Sequence, residues 1–160
     1  MPWRHSLPRC MPRMRSLLLF RVGETRLAAP LSSVEEALDV EGVAVQAIPG
    51  DNPALLGVFP LRGALVPLYD PGAALGIAGS AGATAMVIRP GGGDARVALA
   101  VDDVEDLLEN VQDGDVRPPG GGDLDGIVRG VVHHAAGIIV LVDLYALVAA
   151  CRATDGGDRA

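Results

Sequence analysis

The sequence predicts an all-β fold of two similar small units with short helical segments, and three observations predict it. The 160 residues include 21 glycines and 12 prolines, which favours many short elements joined by tight turns over a few long helices. The apolar runs are short, rich in β-branched residues and bounded by turn residues, as in small antiparallel sheets or barrels. The chain also repeats itself. Residues 26–38 (RLAAPLSSVEEAL) return seventy positions later as residues 96–108 (RVALAVDDVEDLL), with five of thirteen positions identical. Residues 64–70 (ALVPLYD) return as residues 137–143 (GIIVLVD), offset by seventy-three. Two matches in the same order at nearly one offset indicate a duplication.

Residues 1–16 read as a basic, disordered tail, with Met11 and Met14 as alternative translation starts. The first unit, residues 17–76, opens with an apolar strand at 17–22, a Gly23-Glu24 turn and a second strand at 26–31. An acidic, apolar-spaced stretch comes next at 34–38, then a Gly/Pro-rich connection and a strand ending in Asp70. The second unit, residues 84–151, repeats this order. Strands are predicted at 84–89 and 96–101, an acidic stretch at 104–108 and a closing strand ending in Asp143. The unbroken apolar run at 137–142 reads as a strand covered on both faces. Loops are predicted at 49–53, 76–82, 91–94 and 118–122. Leu144, Leu147, Val148 and Cys151 recur at helical spacing and predict a short closing helix. Residues 152–160 read as a solvated tail.

Composition narrows the function classes. Hydrophobic residues make up 49% and charged residues 21%, so the chain is globular rather than disordered. Aromatics are only 3%, so the core must be built from Val, Leu, Ile and Ala. All thirteen basic residues are Arg, and four of them fall in the first fifteen positions, which hold no acid. The remainder sets nine Arg against twenty acids, a net of −11. Such a body repels phosphate backbones, which excludes nucleic acid as a partner. The two cysteines, Cys10 and Cys151, form neither a disulfide framework nor a metal spacing, as suits a cytoplasmic protein. No targeting segment is recognised. The longest apolar stretch, residues 135–151, has Asp143 near its centre. A mid-membrane Asp costs roughly 2.5–3.5 kcal/mol, which argues against direct membrane insertion.

Signatures of catalysis are weak. The acids from Asp102 to Asp115 are interrupted by Val104, Leu107, Leu108 and Val111, which breaks the alternation a calcium loop requires and leaves a solvated face. His133 and His134 are adjacent, so on a strand they face opposite sides and cannot share a metal. The Gly91-Gly92-Gly93 and Gly120-Gly121-Gly122 runs lack the strand-and-helix setting of a nucleotide site, and the chain has no Lys. Asp70 and Asp143, each ending an apolar strand, suggest the paired carboxylates of an aspartyl hydrolase. Their contexts, Asp70-Pro71-Gly72 and Asp143-Leu144-Tyr145, lack that family's Asp-Thr-Gly, so strand-stopping or capping is the plainer role. No enzyme activity, cofactor or metal is expected.

One stretch points elsewhere. Gly57-Val58-Phe59-Pro60-Leu61-Arg62-Gly63-Ala64-Leu65-Val66-Pro67-Leu68-Tyr69-Asp70 resembles the central signature of CheW-like chemotaxis coupling proteins, an apolar strand leading through Asn-Leu-Arg-Gly to apolar-Pro-apolar-apolar-Asp. Ala29-Pro30-Leu31-Ser32-Ser33-Val34-Glu35-Glu36 is similar to that family's Leu-Pro-Ile-x-x-Val-x-Glu segment. Ile48-Pro49, Val101-Asp102-Asp103-Val104 and Val140-Leu141-Val142-Asp143 fall where the family has related segments, so the resemblance spans residues 17–148. It departs at Pro60, which replaces the Asn and removes a backbone donor, and at Pro71-Gly72, which should end the strand abruptly. The resemblance implies two intertwined five-stranded SH3-like barrels around a shared core. It also implies a non-enzymatic adaptor joining the cytoplasmic tip of a chemoreceptor to the regulatory domain of a chemotaxis histidine kinase, at membrane-associated receptor arrays. A scaffold of the same fold in pilus motility or surface-matrix control is the alternative.

The candidate protein-binding residues are Val34, Glu36, Gly57, Leu61, Arg62 and Gly63. Arg62 sits where a turn is expected, and a guanidinium held at a rigid corner offers a directional contact for acids or carbonyls. It could equally cap its own turn or pair with an internal carboxylate. The resemblance favours the partner contact. Gly63 and Gly57 read first as backbone positions needing positive φ or close approach. Val34 reads as core and Glu36 as a solvated charge, while the resemblance sets both beside a receptor-binding groove.

Overall fold

The structure, a computed structural model, describes residues 14–77, 82–89, 95–118, 126–134 and 137–153. The predicted loop at 91–94, most of those at 76–82 and 118–122, residues 1–13 of the N-terminal tail and the end of the C-terminal tail lie outside the described residues. Met14, Arg15 and Ser16 belong to the first strand rather than to a tail, and the closing helix runs on through Arg152 and Ala153. The first half supplies β1 (Met14–Val22), β2 (Thr25–Pro30), β3 (Glu36–Asp39), β4 (Leu55–Leu61), β5 (Ala64–Tyr69) and helix α1 (Pro71–Leu75). The second supplies β6 (Thr84–Ile88), β7 (Val97–Val101), β8 (Asp103–Gln112), β9 (Val116–Arg117), β10 (Val128–His134), β11 (Gly137–Val142) and helix α2 (Leu144–Ala153).

The strands form two sheets, and each sheet draws on both halves. The six-stranded sheet runs β8-β1-β2-β11-β10-β9, and the five-stranded sheet runs β3-β6-β7-β5-β4. Each half therefore gives its first hairpin to one sheet and its later strands to the other. The joints are parallel and equivalent under the repeat: β2 meets β11 with Ala28 opposite Leu141, and β7 meets β5 with Ala98 opposite Leu68. This is the intertwining that the resemblance implied, and it agrees with an all-β fold.

Burial explains why the first hairpins read as continuous apolar runs. Leu17, Leu19, Ala28, Leu108, Val132, Ile139 and Leu141 enclose one apolar interior. Phe59, Val66, Leu68, Ala85, Val87, Ala98 and Ala100 enclose a second. The opposite faces of the same hairpins (Phe20, Val22, Leu27 and Ala29; Met86, Ile88, Val97 and Leu99) meet in a third cluster shared by both sheets. A strand buried on both faces has no polar side to alternate with. Residues 137–142 depart from the prediction of a fully covered strand. Only the end of β11 is covered on both faces, and Ile138 is 62% exposed.

Both helices begin at the repeated Asp. The Asp70 carboxylate accepts from the Gly72 N–H at 2.9 Å, with Pro71 in the first turn, where its missing donor costs nothing. The Asp143 carboxylate accepts from the Tyr145 and Ala146 N–H groups at 2.9 and 3.2 Å. The apolar stretch at 135–151 is thereby divided into a strand and a helix. Among the described residues no helix is long and apolar enough to cross a membrane.

Ion pairs repeat as well. Glu35 pairs with Arg89 and Arg96 at 2.8 and 2.6 Å, and Glu105, seventy positions on, pairs with Arg21 and Arg26 at 3.4 and 3.1 Å. Each carboxylate bridges to a hairpin of the other half. Asp102 departs from the solvated face predicted for the acid run. Its side chain is 6% exposed, lies 3.6 Å from Arg21 and accepts from the backbone N–H groups of Gly23 and Gly82 at 2.7 and 2.9 Å.

Candidate protein-binding site

The β4–β5 hairpin positions the candidate site. Leu61 and Ala64 face each other across it, leaving Arg62-Gly63 as a two-residue turn. Both turn residues have positive φ, 49° and 83°, the combination of a type I′ turn, whose twist matches that of the strands. Gly63 takes this conformation without strain. Arg62 takes it against its preference, and its side chain is held by a partner.

That partner is Glu36 on β3. One guanidinium nitrogen donates to Glu36 Oε1 at 2.9 Å and a second donates to Oε2, making a two-point contact. The Arg62 hydrogen bond and charge hold the Glu36 carboxyl below its ordinary value, and the carboxylate in turn raises Arg62. Two residues chosen separately from the sequence are thus one unit. Glu36 is not the solvated charge that its local sequence suggests, yet Arg62 remains 55% exposed. The contact joins β3 to β4–β5, at opposite ends of the five-stranded sheet.

The outward face beside this pair is apolar. Pro60 is exposed opposite Leu65, which is 69% exposed, and Val58 and Pro67 form the next pair along. Pro60 breaks no ladder here. Val58 exchanges backbone hydrogen bonds with Gln46 on the outer side of β4, so the nitrogen two residues on also faces outward, where no donor is required. The departure from the Asn-Leu-Arg-Gly pattern therefore leaves the hairpin intact. Pro71, likewise, lies beyond the end of β5 and starts α1.

The other candidates have backbone or packing roles. A Cβ at Gly57 would lie 2.5 Å from the Gln46 carbonyl oxygen, so the Gln46–Val58 bridge requires glycine there. Gly130, seventy-three positions later, meets the Arg117 carbonyl at 2.6 Å in the same way. Leu61 packs on the interior of the five-stranded sheet. Val34 is half-buried on the shared core, as is its repeat mate Val104. Residues 34, 36, 61, 62 and 63 lie around the β3 and β4–β5 elements, while Gly57 acts from within β4. Leu65 is an exposed apolar residue of this face that the sequence reading did not single out; strand alternation places it outward from Val66, the signal that could have found it.

The family model described as the CheW-like domain matches residues 16–152. The chain is 33% identical over 135 residues to a chemotaxis protein CheW of Rhizobium meliloti (strain 1021), covering 81% of this chain and 84% of the relative. Its fold matches the crystal structure of the scaffolding protein TtCheW from Thermoanaerobacter tengcongensis with a TM-score of 0.73 at 21% identity, over 86% of this chain and 92% of that one. With the intertwined sheets and the Leu61-Arg62-Gly63 corner, these matches place the chain in the CheW-like domain family.

Proposed function

We propose that the chain is a non-enzymatic adaptor that couples the cytoplasmic tip of a chemoreceptor to the regulatory domain of a chemotaxis histidine kinase. Residues 17–151 act as one domain of two similar units, 17–76 and 84–151, working in the cytoplasm at receptor arrays. The single observation that carries this reading is the exposed Glu36–Arg62 pair at a rigid type I′ corner beside the apolar Pro60–Leu65 face. A fixed ion pair next to uncovered apolar surface suits protein recognition, since the apolar face supplies affinity and the charges supply register. Coupling then requires each partner to contact a different face, so that a change in one alters the affinity for the other. Asp70 and Asp143 cap their own helices, which is a structural role and supports the adaptor over a hydrolase.

The test is a calorimetric titration of the organism's own kinase regulatory domain and, separately, a receptor cytoplasmic fragment. Each is titrated into wild type and into Arg62→Ala. Weakened binding of either partner by a folded Arg62→Ala protein is the expected result. No binding of either partner to wild type would end the adaptor proposal.

A further inference from the structure

The duplication supplies an internal comparison, and strand register fixes it residue by residue. In the five-stranded sheet Glu36 opposes Val87, Val87 opposes Ala98, Ala98 meets Leu68 and Leu68 opposes Gly57. In the six-stranded sheet Asp106, Leu19, Ala28, Leu141 and Gly130 stand in the same succession. Asp106 is therefore the counterpart of Glu36, and β10–β11 is the counterpart of β4–β5. The first hairpin has Arg62-Gly63 between the paired Leu61 and Ala64, and the second has Ala135-Ala136 between the paired His134 and Gly137. The carboxylate recurs in the second unit, and the guanidinium does not.

Where Arg62 reaches across to Glu36 in the first unit, the second has a cleft of about 540 Å³ between β8 and β10. Leu108 and Val132 of the apolar interior border it, together with Asp106, Glu109 and Asp115. One extra residue falls between the Leu108–Leu17 and Val111–Arg15 pairs, and Asn110 there has a φ of 61°. This irregularity bends β8, so that Asp106 and Glu109 border one cleft despite their odd spacing. One Asp106 oxygen accepts from the Leu107 N–H at 2.7 Å. Among the described residues, neither its other oxygen nor Glu109 has a hydrogen-bonding or charged partner. Arg117 also borders the cleft but stands at the place of Gln46, since Gly130 meets its carbonyl as Gly57 meets that of Gln46. Three acids there outnumber this one arginine.

We propose that this cleft receives an arginine from a partner protein, whose guanidinium takes on Asp106 the place that Arg62 takes on Glu36. The Arg62–Glu36 contact shows, within this fold, that a carboxylate at this position holds a guanidinium by two hydrogen bonds. Glu109 adds a second charge, and Leu108 and Val132 suit the methylene stem that an arginine brings with its charge. The acidic body draws a basic segment toward the cleft. The inference does not rest on the adaptor reading, because it concerns the other unit and direct binding tests it.

The experiment is a fluorescence-anisotropy titration of the full chain with a labelled dodecapeptide alternating Arg and Leu. The same peptide with citrulline for Arg, which keeps the shape and loses the charge, serves as control. The Arg peptide binds wild type, and Asp106→Asn and Glu109→Gln each weaken it by about tenfold, the scale of one charge-assisted contact. The citrulline peptide binds at least tenfold more weakly. Glu41→Gln removes the same charge from an exposed position outside the cleft and leaves the affinity unchanged. Equal binding by wild type and Asp106→Asn overturns the proposal, as does failure of wild type to bind. An equal loss in Glu41→Gln overturns it too, since the peptide would then follow only the net charge. Free arginine binding as tightly as the peptide, and losing affinity in Asp106→Asn, would overturn the assignment to a protein segment. The asparagine keeps an acceptor for the Leu107 N–H, and Glu109→Gln decides the outcome even if Asp106→Asn does not fold.

Discussion

Arg62, at positive φ on the β4–β5 turn, holds Glu36 of β3 by two parallel hydrogen bonds across twenty-six positions of chain. The turn sets where the guanidinium stands, and the ion pair sets where it points. An arginine so fixed presents its remaining donors in one direction. Exposed ion pairs add little stability, so the pair's value lies in orientation.

Glu36→Gln and Arg62→Ala are therefore expected to leave thermal unfolding nearly unchanged while each weakens partner binding. In a double-mutant cycle the two effects are non-additive, because either change dissolves the same unit. Additive losses would show that the residues contact a partner independently. Arg62→Gly offers a sharper separation: it relieves the positive-φ turn and raises the melting temperature, yet loses binding.

The same pair sets a pH dependence. Glu36 titrates below its ordinary value in the folded protein, so its contribution is fully present above the unfolded glutamate value and disappears as pH falls through the lowered one. A carboxyl carbon shift tracked by NMR should show Glu36 titrating below an unpaired glutamate. In Arg62→Ala its midpoint should rise toward the ordinary value.

Gly57→Ala places a methyl group against the Gln46 carbonyl oxygen at 2.5 Å, and backbone cannot yield as a side-chain end does. A loss of about 1–3 kcal/mol in urea unfolding is expected from the strained or broken Gln46–Val58 bridge. Gly130→Ala should cost a similar amount through Arg117. A neutral result at Gly57 would show that the bridge accommodates a side chain and would overturn its backbone role.

Asp143→Ala removes an acceptor for two helix N–H groups and should cost about 1 kcal/mol, whereas Asp143→Asn restores most of it. Asp70→Asn should likewise fold and bind as wild type does. A peptidase activity abolished by that change would instead revive the hydrolase reading.

Cys151 is fully buried on α2, and burial, reinforced by the Asp70 charge, pushes its thiol up to about 12. The thiolate is the reactive form, so a thiol-specific reagent should modify Cys151 only after denaturant is added. Modification of Cys151 at neutral pH without denaturant would mean that α2 opens in the native state.

Much of the fold is legible in the chain because burial leaves a local mark. β1, β2, β6 and β7 read as strands from the apolar runs at 17–20, 27–29, 85–88 and 97–101, which carry no polar residue because both of their faces are covered. Asp70 and Asp143 read as stops because a short acid after an apolar run caps the next helix. β4 and β10 are harder to delimit, because the bulges at Leu56 and Arg129 shift the alternation that marks a strand. In β8, Leu108 and Val111 fall three apart across another irregularity. The acid run consequently looks like a solvated face, although it forms a long edge strand.

The candidate site divides the same way. Gly63 and the turn are readable from neighbours in sequence, and so is the backbone role of Gly57. The partner of Arg62 is not, because nothing near residue 62 reveals that β3 closes the far side of its sheet.

By itself the sequence determined the order of strands and turns, the duplication, the strand-ending acids and the family. Only the tertiary structure decided which half supplies which strand, that Glu36 belongs to Arg62 and that Asp102 is enclosed. The physical reason is range. Periodicity and turn chemistry are settled within a few residues, whereas strand exchange and ion pairing depend on which distant surfaces are buried together.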